Sequence, residues 1–210
     1  MAYPIARRSL FPFVSLFAKR IEGTECIPLD QPVIVVANHL GLFDPIFIGS
    51  IFIRRTKHKI RFLVDTRNLF WKTIGSYLQR FTNSIPVRPN RHADAIDEAV
   101  RSLRRGDSIG VFPEGKVNTS PTLLYGRSGA VRISLLADKP ILPVGIENTN
   151  VPLLTIIERR FVNRQEGIVI RFGQPFTPSG NPNDPTEVRG LTDDLMRRIA
   201  GLSRKVYNSG

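Results

Sequence analysis

The chain has 210 residues, 41% of them hydrophobic and 23% charged, which suits one globular domain with a full core; it carries no internal repeat or low-complexity tract. Its net charge of +12 gives the surface a positive potential that attracts anionic lipid headgroups, nucleic acid or phosphorylated molecules. No zinc-knuckle spacing or aromatic RNA-binding signature accompanies that charge, so nucleic acid is not expected as a partner, whereas phosphate-bearing and membrane ligands are. Cys26 is the only cysteine, which excludes an intramolecular disulfide and a thiolate metal cage and fits a reducing compartment.

Arg7-Arg8 and the apolar run from Ser9 to Ala18 resemble the charged and apolar parts of a short secretory signal. Lys19-Arg20-Ile21-Glu22 stands where small residues should form a cleavage site, however, and the run is too short to span a bilayer. Residues 1–20 are therefore read as an amphipathic, Phe-rich helix kinked at Pro12, which lies in a headgroup layer or packs on the domain formed by residues 21–210.

Gln31-Pro32 introduces Val33-Ile34-Val35-Val36-Ala37, a β-branched run typical of a buried parallel strand, which ends at Asn38-His39. Asp44-Pro45 then offers a helix start, with the carboxylate as N-cap and proline in the first helical position. Arg61 to Val64 reads as a second strand, Leu69 to Phe81 as a helix and Ile85 to Val87 as a third strand. His92 to Arg105 has helical spacing and a stop at Gly106; Ser108 to Phe112 is a strand ending at Pro113-Glu114-Gly115. Helix Ser128 to Ala137, strand Ile141 to Ile146, strand Ile168 to Phe172 and helix Pro185 to Leu202 complete the series. Such alternation predicts a single α/β domain whose mostly parallel central sheet is flanked by helices, with ligands gathered at the carboxyl ends of the strands. The basic cluster Arg54, Arg55, Lys57, Lys59 and Arg61 reads as a solvated or lipid-facing surface.

Two polar stretches, Asn38 to Asp44 and Phe112 to Asn118, follow directly on buried strands. A histidine titrating near neutrality removes a proton from a hydroxyl, and a carboxylate beside it holds the tautomer and stabilises the imidazolium. His39 and Asp44 are candidates for these roles, with a plain N-cap as the competing reading of Asp44. No Gly-x-Ser-x-Gly elbow is present and no motif surrounds Cys26, so the nucleophile is a substrate hydroxyl and the pattern describes direct acyl transfer. His39, His58 and His92 show no repeated ligand spacing, so no metal is expected.

The order Asn38-His39-x4-Asp44, Ile85-Pro86-Val87-Arg88, Phe112-Pro113-Glu114-Gly115, Ile141-Leu142-Pro143-Val144 resembles the four successive blocks of the glycerophospholipid (1-acylglycerol-3-phosphate, or lysophosphatidic acid) acyltransferase family, over about Ile21 to Phe176. The resemblance implies transfer of a fatty acyl chain from a coenzyme A or acyl-carrier-protein thioester, a co-substrate rather than a bound cofactor, to a lysophospholipid hydroxyl. His39 would be the base and Asp44 its partner. Glu114 and Gly115 would help bind the glycerol phosphate, and Pro143 would shape the acyl or acceptor site; Gly115 as a plain turn residue and Pro143 as a strand end are the alternatives. Arg127, ahead of a helix start, is either a phosphate contact or an exposed surface arginine.

Three departures bear on the acceptor. Lys116-Val117-Asn118 stands where the third block usually continues Thr-Arg-Ser, leaving a lysine point charge in place of an arginine fork. Arg88 follows Val87 directly, where the family more often has the arginine a residue later, with Arg91 as a stand-in, and a lysine common in the family falls near Asp65, with Arg67 as its replacement. The resemblance thus implies a cytoplasmic enzyme, peripheral to the inner face of a membrane with an anionic surface. A different lysolipid or glycolipid acceptor, and a catalytically inactive membrane-binding protein, are the rival readings.

Overall fold

In a computed structural model the described residues are 14, 17–56, 58–67, 83–150 and 167–209. The helix expected over 69–81 and most of segment 1–20, with its proposed kink, lie outside them. The described elements are β1 (Ala18–Glu22), β2 (Ile34–Ala37), α1 (Asp44–Arg55), β3 (Ile60–Asp65), β4 (Ile85–Val87), α2 (His92–Arg104), β5 (Ser108–Val111), α3 (Gly129–Ala137), β6 (Ile141–Glu147), β7 (Ile168–Phe172) and α4 (Pro185–Ser203). The strands make one sheet in the order β1-β7-β6-β2-β5-β3-β4. Pairing is parallel except between β6 and β7, which run antiparallel. The mostly parallel α/β domain is therefore as the alternation predicts.

β1 was not legible in its own residues. Ala18-Lys19-Arg20-Ile21-Glu22 lacks a β-branched run, and the strand exists because it pairs along β7, from Ala18 beside Ile168 to Glu22 beside Arg171. It runs across the expected boundary at residue 20. Arg171 joins three strands at this edge: its Nε donates to Glu22 on β1 at 2.8 Å and its Nη1 to Glu147 on β6.

β2 is buried along its whole length, and alternation sends its side chains to opposite faces. Val35 and Ala37 join Phe47, Ile48, Ile51 and Phe52 of α1 in one core. Ile34 and Val36 join Ala99 and Leu103 of α2, Ile133 of α3 and Leu195 and Ile199 of α4 in the other. The chain leaves β2 towards β3 on one side and leaves β5 towards β6 on the other. Because β2 and β5 are neighbours, their departing loops separate and open a crevice at the carboxyl ends, the place where ligands bind in such sheets.

Arg61 corrects part of the basic-surface reading. Its side chain is only 11% exposed and donates to Glu98 on α2 at 2.7 Å. Arg101 and Arg105 also reach Glu98, at 3.1 Å each. Burial alone would raise the Glu98 carboxyl, but the bonds from Arg61, Arg105 and Arg101 prevail and hold it at about 2. A carboxyl lowered on folding stabilises above its unfolded value and loses that contribution as pH falls through the folded one. Glu98→Gln is therefore expected to lower the urea midpoint at pH 6, and the gap to wild type should close between about pH 4.5 and about pH 2; a gap constant across that range would contradict the assignment.

Candidate active site

Asn38, His39 and Asp44 sit where β2 runs out into the crevice. Asn38 is fully buried. Its Oδ1 accepts from Ile146 N at 2.8 Å and its Nδ2 donates to Ile146 O at 2.9 Å, so a side chain continues the β2–β6 pairing beyond the last strand residue. The next residue, His39, is thereby turned out of the sheet with its side chain 19% exposed. Gly41 lets the loop pass against its neighbour, since a Cβ there would lie 2.6 Å from the Thr149 carbonyl oxygen.

Asp44 is not the N-cap. The cap is Phe43, whose carbonyl accepts from Ile46 and Phe47, and Asp44 is the first residue of α1 with Pro45 second, a place where the missing N–H costs nothing. The carboxylate, completely buried, turns back to the loop instead. Its Oδ2 accepts from His39 Nδ1 at 2.8 Å, Leu40 N at 2.7 Å and Gly41 N at 2.9 Å. With the Leu40 and Gly41 N–H groups already donating to Oδ2, the tautomer that suits this contact is the one with the imidazole proton on Nδ1, which leaves Nε2 to face the crevice. The His39 ring stacks on Phe112, centroids 4.2 Å apart, and Phe112 stacks on Phe62 at 5.8 Å.

Glu114 belongs to the same network. It is 4% exposed; Oε1 accepts from His39 N at 3.1 Å, and Oε2 from Asn118 Nδ2 at 2.6 Å and Leu124 N at 3.0 Å. Both oxygens thus bind protein donors, holding His39 and the 118–124 segment together. Asn118, which the sequence offered only as a departure, closes the ring by donating its backbone N–H to the His39 carbonyl at 2.7 Å. Its position four residues after Glu114 was the one available signal.

A second, cationic cluster adjoins this network at Gly115. Gly115 has φ 70, and a Cβ there would lie 2.6 Å from the Arg127 guanidinium carbon, so the exposed Arg127 rests on the glycine. Asp65, at the end of β3, is held below the usual carboxylate range first by its hydrogen bond from Arg67, with the more distant charge of Arg127 adding to it. Arg88 is exposed and follows β4, whose Val87 is in register with Asp65; Lys116 is exposed beside Gly115. Pro143 lies elsewhere: it is buried inside β6, opposite Val36, and its carbonyl accepts from Gly173 N at 2.8 Å. Among the described residues no group of three or more His, Cys, Asp or Glu is placed to hold a metal ion.

Residues 19–147 match the family model described as Acyltransferase. A 1-acyl-sn-glycerol-3-phosphate acyltransferase of Borreliella burgdorferi is 31% identical over 134 residues, 62% of this chain and 51% of the relative, so the match spans about half that relative's length. The enzyme of the same name from Bacillus subtilis is 23% identical with 89% of each chain covered. The crystal structure of the 1-acyl-sn-glycerophosphate (LPA) acyltransferase PlsC from Thermotoga maritima superimposes with a TM-score of 0.68 at 22% identity, over 96% of this chain and 78% of that one.

Replacing Asn38 by the isosteric leucine leaves two buried backbone groups of Ile146 unpaired, a loss of about 2–4 kcal/mol. Urea unfolding of Asn38→Leu measures it, and an unchanged midpoint would mean the amide bridge contributes nothing.

Proposed function

Because the chain belongs to the acyltransferase family, we propose that it transfers a fatty acyl group from an acyl-CoA or acyl-carrier-protein thioester to a lysophospholipid hydroxyl. The acceptor in this reading is 1-acylglycerol-3-phosphate, and the product phosphatidic acid, as the names of the relatives suggest. The observation that carries it is the 2.8 Å bond from His39 Nδ1 to the buried Asp44 carboxylate, which leaves Nε2 without a hydrogen-bond partner among the described residues. No serine hydroxyl or cysteine thiol among those residues bonds the imidazole, which supports the substrate hydroxyl as nucleophile.

Nε2 takes the hydroxyl proton as the oxygen attacks the thioester carbonyl, and Asp44 stabilises the imidazolium formed. The tetrahedral intermediate collapses, the C–S bond breaks, and the thiolate leaves as the imidazolium returns a proton. Arg127 on Gly115, with Lys116 and Arg88 exposed nearby in the fold, supplies the positive charge that a phosphate-bearing acceptor and an anionic membrane surface require. No helix among the described residues is long and apolar enough to cross a membrane; action at the inner face of one, as a peripheral protein, belongs to the same proposal.

His39→Ala is expected to reduce kcat by about 10²–10⁴-fold with the melting temperature kept, and turnover at the wild-type rate would remove His39 from the role of base. Arg127→Ala is expected to raise KM for lysophosphatidate at least several-fold while leaving an uncharged 1-acylglycerol unaffected. Preference of the wild-type protein for the uncharged acceptor, in direct competition, would instead favour the other-acceptor reading prompted by Lys116-Val117-Asn118.

A further inference from the structure

Behind the His39 loop, the chain end after α4 does something that neither the blocks nor the relatives assign. Arg204 takes a left-handed conformation (φ 54) that ends α4 and turns Lys205 towards the 118–124 segment. Val206 N donates to Pro121 O at 3.0 Å and Val206 O accepts from Leu123 N at 2.8 Å, pairing the two segments. The half-buried Lys205 then sends its ammonium to the carbonyl oxygens of Asn118, at 3.0 Å, and Ser120, at 2.6 Å. Asn118 holds the His39 carbonyl with its own N–H and Glu114 with its side chain. One lysine is therefore a single residue removed from both ends of the clamp on His39.

We propose that Lys205 is a positioning residue for the acyl-transfer centre, fixing through the Asn118 and Ser120 carbonyls the segment on which His39 rests; this rests on the reaction proposed above. The charge of Lys205 matters because the buried Asp44 and Glu114 side chains are joined to the same histidine residue, one at its ring and one at its backbone N–H. Its ammonium, on which both act electrostatically, favours their remaining in place as acceptors. The groups acting on the ammonium are Asp44 on α1, Glu114 after β5, and the Asn118 and Ser120 carbonyls; Arg204 and Tyr207 stand on its own segment. Burial lowers the Lys205 ammonium below the usual lysine value, the charges of Glu114 and Asp44 opposing that shift in part. Lys205 therefore loses its proton at a lower pH than a surface lysine, and the clamp loosens as pH rises.

Lys205→Met keeps the aliphatic stem and removes donors and charge, whereas Lys205→Arg keeps both. The Met variant is expected to lose about tenfold in kcat with KM within twofold, and Arg to restore most of it. The alkaline limb of the wild-type pH profile should move to higher pH in the Arg variant, which a purely structural brace would not cause. Wild-type kcat in Lys205→Met, or coincident alkaline limbs for lysine and arginine, overturns the proposal; should the Met variant not fold, the limbs decide alone. If the wild-type protein transfers no acyl group, it is the reaction that fails, and amide exchange judges Lys205 without it. The Asn118 and His39 amides should then exchange at least tenfold faster in Lys205→Met with β2 and β5 unchanged, and wild-type rates at both overturn the inference.

Discussion

A buried carboxylate oxygen with three N–H groups aimed at it organises this end of the molecule. Asp44 Oδ2 binds the imidazole of His39 and the backbone amides of Leu40 and Gly41, so the loop between strand and helix is wound around one atom. A carboxylate fully removed from water is costly unless its acceptor sites are filled; the loop that carries the histidine fills those of Oδ2, whereas the buried Oδ1 has no hydrogen-bond partner among the described residues. The helix contributes too, since an anion on its first residue sits at the positive end of the dipole. The spacing of five residues brings the ring and both amides to that one oxygen.

That loop is held from outside at each turn. Asn38 ties its start to β6, Glu114 takes the His39 N–H, and Asn118 gives its own N–H to the His39 carbonyl. The first and third blocks are therefore one hydrogen-bonded unit, assembled because β2 and β5 are adjacent while their connections depart in opposite directions. The stacked rings of Phe62, Phe112 and His39 fill the floor between them, and Gly110 on β5 makes room, since a Cβ there would lie 2.3 Å from the Phe62 ring.

Period and composition made most strands and helices legible, because β2, β5 and β6 are buried on both faces and read as continuous apolar runs. What escaped depends on partners distant in sequence. β1 takes its form from β7, β7 runs antiparallel to β6 in an otherwise parallel sheet, and the cationic run ending at Arg61 hid a side chain that pairs with Glu98 across 37 residues. Asp44 before Pro45 has the local look of an N-cap, and only the folded loop shows its oxygen pointing the other way. Lys205 reaches Asn118 across 87 residues, with nothing nearby in sequence to mark it.

The division between the two parts of the site explains which departures matter. Within the hydrogen-bonded unit every change must preserve a donor or an acceptor aimed at a buried group, and Asn118 satisfies that demand with its amide even though it interrupts the familiar block. Outside that unit the cations of Arg127, Arg88 and Lys116 are exposed, and substitution there changes charge and reach without disturbing His39. Asp65 takes the Arg67 guanidinium at 2.6 Å, so part of the positive field at the end of β3 is already neutralised. On the proposed reading, the acceptor phosphate is therefore drawn to the Gly115–Arg127 side rather than to β3, and acceptor choice is free to vary while the proton-transfer pair stays constant.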